Sequence, residues 1–475
     1  LWTYFSYIDY DAPWFIQRKY TNYKVSGTII DIEEFEKRQR ITLKGAKRTL
    51  KLSVPNKYPL RLYDQISGKA DLTPMGPPST PYSYDVRKDA YFKGIAGYGR
   101  MRWLHIEKRG PWSLRQYLNN QMKMHIKNPA AYGLAKAIVL GDKAGIHMDI
   151  KNAFSISGIS HLLAISGLHL MLFAGVIFFL LRIGLCLIPG VALRYNTKKA
   201  SAVMALCFAI TYMVVSGYGY PVVRATIMFG LIMMGIILDR TSLSMRSVAI
   251  AATIVLIATP QSVLSISFLL SFAAVIGLIS FYEYENARAW TRGWLMSMML
   301  STSVASLITM PICAIAFHNI TMLSWFGNII GIPFFTNIVM PLGMLSLMVH
   351  PCFYPWWELS LTLLVKVATW ISWLPLGKIY VPPPANTWPL VAMIIGILWL
   401  CIWQKRWRYW GLILFCIGMI GYKPAPIPDV FHHPDRDLHA VRHGSKLLTP
   451  QIRRGKFVLE EWARVYGLEL AMDTS

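Results

Sequence analysis

Hydrophobic positions follow two different periods in the two parts of this chain. Between Tyr23 and Leu72 they alternate with polar residues. Val25 to Ile32, Arg40 to Lys44, Thr49 to Val54 and Gln65 to Leu72 each read this way, with Gly, Lys and Asn at the turns. Period two sends neighbouring side chains to opposite faces, which predicts half-buried strands. Short strands at this spacing suit a small barrel such as an OB-fold. From about residue 160 to 420 the alternation is gone. Apolar residues run instead in blocks approaching the ~20 that a helix needs to cross a bilayer. Ten candidate spans follow, at 161–182, 200–217, 221–238, 247–258, 263–282, 293–317, 322–349, 357–376, 388–404 and 409–422.

Between the two regimes, Trp112 to Lys127 and Pro129 to Leu140 read as helices, the second amphipathic through Leu134, Ile138 and Val139. Leu140-Gly-Asp-Lys-Ala-Gly145 then breaks the pattern. The predicted fold class is a polytopic α-helical membrane protein with an N-terminal extracytoplasmic OB-like β-barrel. Its divisions are a basic barrel domain (1–110), connecting helices (111–160), a transmembrane domain (161–422) and a short extracytoplasmic tail (423–475).

At the mouth of the first span, His161-Leu-Leu-Ala-Ile-Ser-Gly-Leu-His-Leu170 places two His, a Ser and a Gly in one apolar run. Polar groups at membrane depth are costly unless they face protein or water. Packing between helices through Ser166 and Gly167, with His161 at the interface, accounts for the motif equally well.

The 475 residues carry a formal net charge of +24 and are 54% hydrophobic, a balance unlike an ordinary soluble domain. Lys and Arg outnumber Asp and Glu about two to one over residues 1–150. That fits a polyanion-binding barrel or a merely solvated basic face. Cys186, Cys207, Cys313, Cys352, Cys401 and Cys416 fall in or beside apolar stretches and are expected as buried small hydrophobes. Leu1 is not a start methionine, which leaves room for an upstream membrane anchor.

Loop charge supplies an orientation. Basic loops at Arg194, Lys198 and Lys199, at Arg240 and Arg246, at Arg288 and Arg292, and at Lys405 to Arg408 alternate with the neutral turns 217–221, 259–262 and 317–321. The positive-inside rule puts the basic set in the cytoplasm, and so the barrel and the tail outside.

The 161–170 motif, with Leu140-Gly-Asp-Lys and Gly158-Ile-Ser before it, resembles the signature of the ComEC-type competence proteins, DNA-uptake channels of the bacterial inner membrane. Ser216-Gly-Tyr-Gly-Tyr-Pro-Val-Val-Arg-Ala-Thr-Ile-Met228 is similar to that family's V-V-R-A-x-I-M stretch. Pro260 to Phe272 resembles its x-F-x-L-S-F block, and Thr309-Met-Pro, Phe317-His, Asn328 and Pro333 through Gly343 its T-x-P…Y-H-F…N-x-x-x-x-P…P-L-G region. Pro78 to Asp85 looks like the exit from the family's barrel. The resemblance implies import of one DNA strand, with an outer-side DNA receptor and cytoplasmic helicase or strand-binding proteins as partners; it leaves homodimerisation open. The cysteine pair of some members' N-terminal domains has no counterpart here. Neither has the H-x-H-x-D-H metal motif of the metallo-β-lactamase-like domain that ends many members. The tail's His432 to His439 holds donors in a different order. Neither nuclease activity nor a metal or other cofactor is expected, and no Gly-rich loop for a nucleotide-driven motor is present.

A strand-importing channel must compensate one phosphate charge per nucleotide. In the barrel, Arg40, Lys44, Lys47, Arg48, Lys51, Lys57 and Arg61, interleaved with Tyr58 and Tyr63, are the candidate DNA contacts. In the membrane the candidate lining is His161, Ser166, His169, Arg224, Ser271 and Asn328. Arg224 follows the helix-opening Pro221, where free N–H groups and the helix dipole join the guanidinium in an anion site. Ser265, Ser267 and Ser271 form a second polar stripe, and Pro333 and Pro341 predict a discontinuous helix. A transporter of another anionic polymer or lipid is the alternative function. A Ser166–His169 hydrolase dyad lacks an orienting acid nearby in sequence.

Overall fold

Period-two alternation near the N-terminus closes on itself in the computed structural model. It describes residues 15–80, 82, 83, 85–239, 244–283, 293–375, 377–403, 405–433, 438–449 and 455–472. Strands β1 (Tyr20–Glu34), β2 (Arg38–Lys44), β3 (Thr49–Pro55), β4 (Gln65–Thr73) and, after the short helix α1 (Val86–Phe92), β5 (Ile95–Lys108) form a closed barrel in the order β1-β2-β3-β5-β4. Closure relies on the length of β1. Its first half pairs with β4 and its second half with β2, and register shifts near Tyr20/Tyr23 and Ile29/Asp31 bend it between them. Alternate residues fill the interior, among them Ile29, Ile41, Leu52, Val54 and Ile66, all fully buried. The buried carboxylate of Asp64 accepts from Arg109 Nη1 (3.0 Å) and from the N–H groups of Gly110 (2.8 Å) and Arg61 (2.9 Å), tying the end of β5 to the turn before β4. Strand β5 was not expected, because Gly97, Gly99 and a bulge near Trp103 interrupt its alternation.

The described residues cluster into two units. One comprises those within 1–74, 92–268 and 323–377, the other those within 75–91, 269–322 and 378–475. The first unit holds the barrel and then α2 (Leu114–His125), α3 (Pro129–Leu140) and α4 (Met148–Ile156). Helix α3 was expected to be amphipathic but is buried on all sides, Lys136 included. A single 3₁₀ turn (Ser160–Leu163) precedes α5 (Gly167–Cys186), followed by α6 (Pro189–Arg194), α7 (Thr197–Val215), α8 (Tyr220–Ile237) and α9 (Met245–Ala258). Fully buried Ala202, Ala205 and Ala209 line one face of α7, where small side chains let helix backbones approach. Helix α10 (Ile266–Tyr282) leads on to α11 (Trp294–Phe317) and the short strand β6 (Asn319–Thr321) of the second unit.

Back in the first unit, α12 (Ser324–Val349) corrects the predicted discontinuity. It runs through Pro333 and Pro341 without an extended break, by widening into π turns at Phe335–Val339 and Leu345–Val349. Thr336 Oγ1 and Asn337 Nδ2 donate to the Pro333 carbonyl at 3.3 and 2.9 Å, so polar groups beside the first π turn are bonded within the helix. Helix α13 (Tyr354–Ser372) closes this unit, its Trp357 packed on Gly343.

In the second unit, β7 (Lys378–Tyr380) pairs with β6, and α14 (Trp388–Ile402) packs on α15 (Trp410–Gly421). A side chain at Gly396 would strike the Gly411 carbonyl and the reverse, so the crossing of α14 and α15 needs both glycines. The tail carries a sheet and a helix of its own. Strands β8 (Val430–His433), β9 (Leu438–His443) and β10 (Lys446–Thr449), helix α16 (Lys456–Tyr466) and strand β11 (Glu469–Met472) build a sheet ordered β11-β10-β9-β8. Phe431, Leu447, Leu459 and Trp462 form its core.

A described helix occupies each of the ten apolar stretches. Among the described residues, four helices are long and apolar enough to cross a membrane: α5, α7, α11 and α12. The cysteines depart from expectation. Cys401 is buried and Cys313 half-buried, but Cys186, Cys207, Cys352 and Cys416 are exposed. They lie in or beside apolar helices, and Cys186 Sγ lies 3.4 Å from Thr197 Oγ1. Arg240, Arg288, Arg292 and residues 434–437 of the histidine-bearing tail lie outside the described residues, as does Tyr84 of the barrel-exit segment.

Candidate functional site

The 161–170 motif is a crossing point. Gly158 takes a left-handed conformation (φ 76°) where any side chain would strike Ser324, and Gly327 abuts the Ser157 carbonyl with no room for a side chain. These two glycines let the chain pass over the start of α12. It then makes the 3₁₀ turn, runs extended from Ala164 to Ser166, and enters α5 at Gly167. His161 and His169 therefore do not share a helix face. His161 is exposed on the 3₁₀ turn, while His169 is fully buried with its ring edge-on to Phe335, centroids 4.8 Å apart.

Ser166 and His169 are brought together as a helix cap. His169 Nδ1 accepts from the Ser166 N–H at 3.2 Å and lies 2.9 Å from Ser166 Oγ. An accepting Nδ1 puts the proton of the neutral ring on Nε2. That Nε2 is buried and meets no acceptor among the described residues. The dyad thus lacks the acid that a hydrolase would place on the second nitrogen.

Arg224 lies in the second turn of α8, after the loop in which Gly217 and Tyr218 both take positive φ. It is 4% exposed. Nη2 donates to Ser267 Oγ at 2.9 Å, and neither Nε nor Nη1 has an acceptor among the described residues. A buried guanidinium with two idle donors, near the positive end of a helix, has the chemistry of an anion site. Ser267, part of a predicted polar stripe, is thus engaged. Ser271, one turn further along α10, is half-buried, and Asn328 is half-buried next to Gly327 in α12.

The seven barrel candidates divide. Arg40 and Lys51 converge on Glu33 at 3.7 and 2.7 Å, so one carboxylate offsets part of their charge. Lys57 lies 5.0 Å from the Tyr58 ring centroid, and Arg40 the same distance from that of Phe35. Lys44 and Lys47 flank the β2–β3 turn and are exposed, as is Arg61; Arg48 is half-buried.

Residues 138–407 match the family described as Competence protein. The chain belongs to that family. ComE operon protein 3 of Bacillus subtilis is 26% identical over 58% of this chain and 35% of its own length. Uncharacterized protein YcaI of Escherichia coli is 29% identical over 67% of the chain and 43% of its own, and Competence protein ComA of Neisseria gonorrhoeae 24% over 62% and 42%. The chain thus spans less than half the length of each of these curated relatives. No solved structure matches.

Within this competence-family chain, the matched segment takes in the 161–170 crossing and Arg224 and leaves the barrel outside. Two features escaped the sequence reading. One is a cleft of about 520 Å³ between the β1–β2 turn and the segment entering α4, lined by Lys37, Arg38, Arg40, His147 and Lys151 with Glu36 as its acid. Its cations are separated by about a hundred positions, so no local run announced it. The other is a polar junction. Arg115 donates to the Leu140 and Val215 carbonyls at 2.9 Å each and lies 3.8 Å from Asp31 of the barrel. Buried Lys136 meets Asp142 at 2.8 Å and Glu34 at 3.6 Å.

Proposed function

We propose that this chain forms the pore of an inner-membrane channel that imports single-stranded DNA during natural transformation. The observation that carries the reading is Arg224, a buried guanidinium with two unbonded donors and no carboxylate partner among the described residues. A phosphate passing at membrane depth is the kind of group that would complete it. His161, Ser166, His169, Ser271 and Asn328 are proposed as the neutral remainder of the lining, with the ten apolar helices as spans.

The name of one relative, Competence protein ComA, supports a role in DNA uptake. Barrel closure and strand order support an OB-type domain, proposed to lie outside the cytoplasm and to capture the strand through Lys44, Lys47, Lys57 and Arg61, with Arg40, Arg48 and Lys51 at its edge. The basic cleft is a route from that barrel toward the membrane helices. An outer-side DNA receptor and a cytoplasmic helicase or strand-binding protein are the proposed partners, since the chain is read as a conduit and not a motor.

The test is import of labelled DNA by cells carrying Arg224→Ala or Arg224→Lys at normal protein level. Loss with Ala and partial retention with Lys is expected, because Lys keeps the charge but not the planar fork. Normal uptake by both variants would remove Arg224 from the pathway.

A further inference from the structure

The barrel candidates legible in the sequence cluster on β2 and β3, yet the most open aromatic surface lies on the opposite strands. Trp103 is 56% exposed on β5. Directly across from it on β4 is Lys69, and across from Lys69 on β1 is Lys24, so the three stand in one row on the outside of the sheet. The next row is Ser26, Ser67 and His105. His105 lies nearly parallel to the indole (9°, centroids 6.2 Å apart), and the two serines leave the space beside it open.

Local backbone builds this shelf. The β4–β5 register shifts between Lys69 and Ala70, leaving Arg102 as an extra residue whose Nε donates to Asp71 at 2.7 Å. At Gly68, beneath the shelf, any side chain would strike the Trp103 carbonyl, so the two strands approach closely only because that position is glycine. Charge then decides what the shelf accepts. Two lysines directly opposite each other repel across the strands. Among the described residues neither Lys24 nor Lys69 has an ion-pair partner, and the exposed Arg100 stands across from Asp71 in the register. Arg102 is held by Asp71.

We propose that this face of β1, β4 and β5 is a stacking platform for single-stranded nucleic acid, a base lying on Trp103 and the adjoining phosphates on Lys24 and Lys69. An open indole with two unpaired lysines in its row matches a strand's alternation of π-face and phosphate, and it needs no base-specific contact. The assignment of the strand as imported DNA rests on the proposed function; the platform itself rests on the geometry. It is distinct from the β2–β3 face that OB barrels commonly use.

The experiment measures binding of a fluorescent thymidine oligonucleotide, and of its abasic counterpart, to the full chain in detergent. Trp103→Ala should weaken the thymidine strand by about 5- to 150-fold, the range for loss of one stacked base. Trp103→Phe should restore most of it, and the abasic strand should bind wild type and Trp103→Ala alike. Lys24→Gln with Lys69→Gln should lower the salt slope by about 1.4, at ~0.7 per phosphate contact on a single strand. Unchanged thymidine binding by Trp103→Ala, or an equal loss on the abasic strand, overturns the platform while leaving the channel reading intact. Failure of the wild-type chain to bind any oligonucleotide at low salt overturns both.

Discussion

Replacing Arg224 with methionine separates an anion site from a structural arginine by the sign of a stability change. In the absence of an anion, the two unbonded nitrogens of the buried guanidinium, Nε and Nη1, cost roughly 1–3 kcal/mol each. The positive end of α8 adds about 0.3–1 kcal/mol against any cation there. The single bond to Ser267 (2.9 Å) returns about 1.5–3 kcal/mol. These terms leave the arginine a net burden of about 2 kcal/mol, which a methionine of similar length would relieve. At ~2–4 °C per kcal/mol for a folded unit of this class, Arg224→Met should melt several degrees higher than wild type in detergent. Added oligonucleotide should stabilise the wild type at this site, by about 2.7 kcal/mol at a hundredfold excess over its dissociation constant. The variant should lose that part of the response. A variant that melts several degrees below wild type, with an undiminished response to oligonucleotide, would make Arg224 a structural residue with no anion site.

Four further outcomes follow from particular contacts. Asp142→Ala leaves the buried Lys136 ammonium with the longer contact to Glu34 and the Tyr132 ring and should destabilise by about 3–5 kcal/mol, whereas Lys136→Met with Asp142→Leu should recover most of that loss in thermal unfolding. Gly327→Ala drives a methyl into the Ser157 carbonyl and should lower both the melting temperature and DNA uptake, with Gly175→Ala, which has open space, as the silent control. Ala205→Leu overpacks the buried face of α7 and should cost about 1–3 kcal/mol by the same measurement. Arg102 and the Asn22 N–H hold the Asp71 carboxyl below its usual range, so its stabilisation is complete above about pH 4 and fades as pH falls through the lowered value. Asp71→Asn should therefore differ from wild type at neutral pH and converge with it in acid, as read by barrel circular dichroism, and by freeing Arg102 it should tighten oligonucleotide binding.

Local pattern went a long way in this chain. The four strands of period two and the helices over the apolar stretches were legible because burial of one face, or of a whole segment, is written in residue order. The family motifs were legible through resemblance alone. Strand β5 was obscured where Gly97, Gly99 and a bulge break the alternation. Helix α12 looked broken because proline forbids an α-helical hydrogen bond, whereas π turns are not visible in composition. The tail's fold was hidden because strands of four to six residues carry too few alternations to stand out.

The sequence by itself determined the class of the molecule: a basic β-rich N-terminal part, then helices too apolar for water, with Arg224 singled out among them. Folding settled which polar groups are already engaged. It turned Ser166 and His169 into a helix cap, occupied Arg40 and Lys51 with Glu33, and left two donors of Arg224 idle. It also set Trp103 beside Lys69 and Lys24, residues from three separate strands. Periodicity reports which side of an element is buried, but the partner of a charge or a ring comes from another part of the chain, and only the folded backbone brings the two within reach.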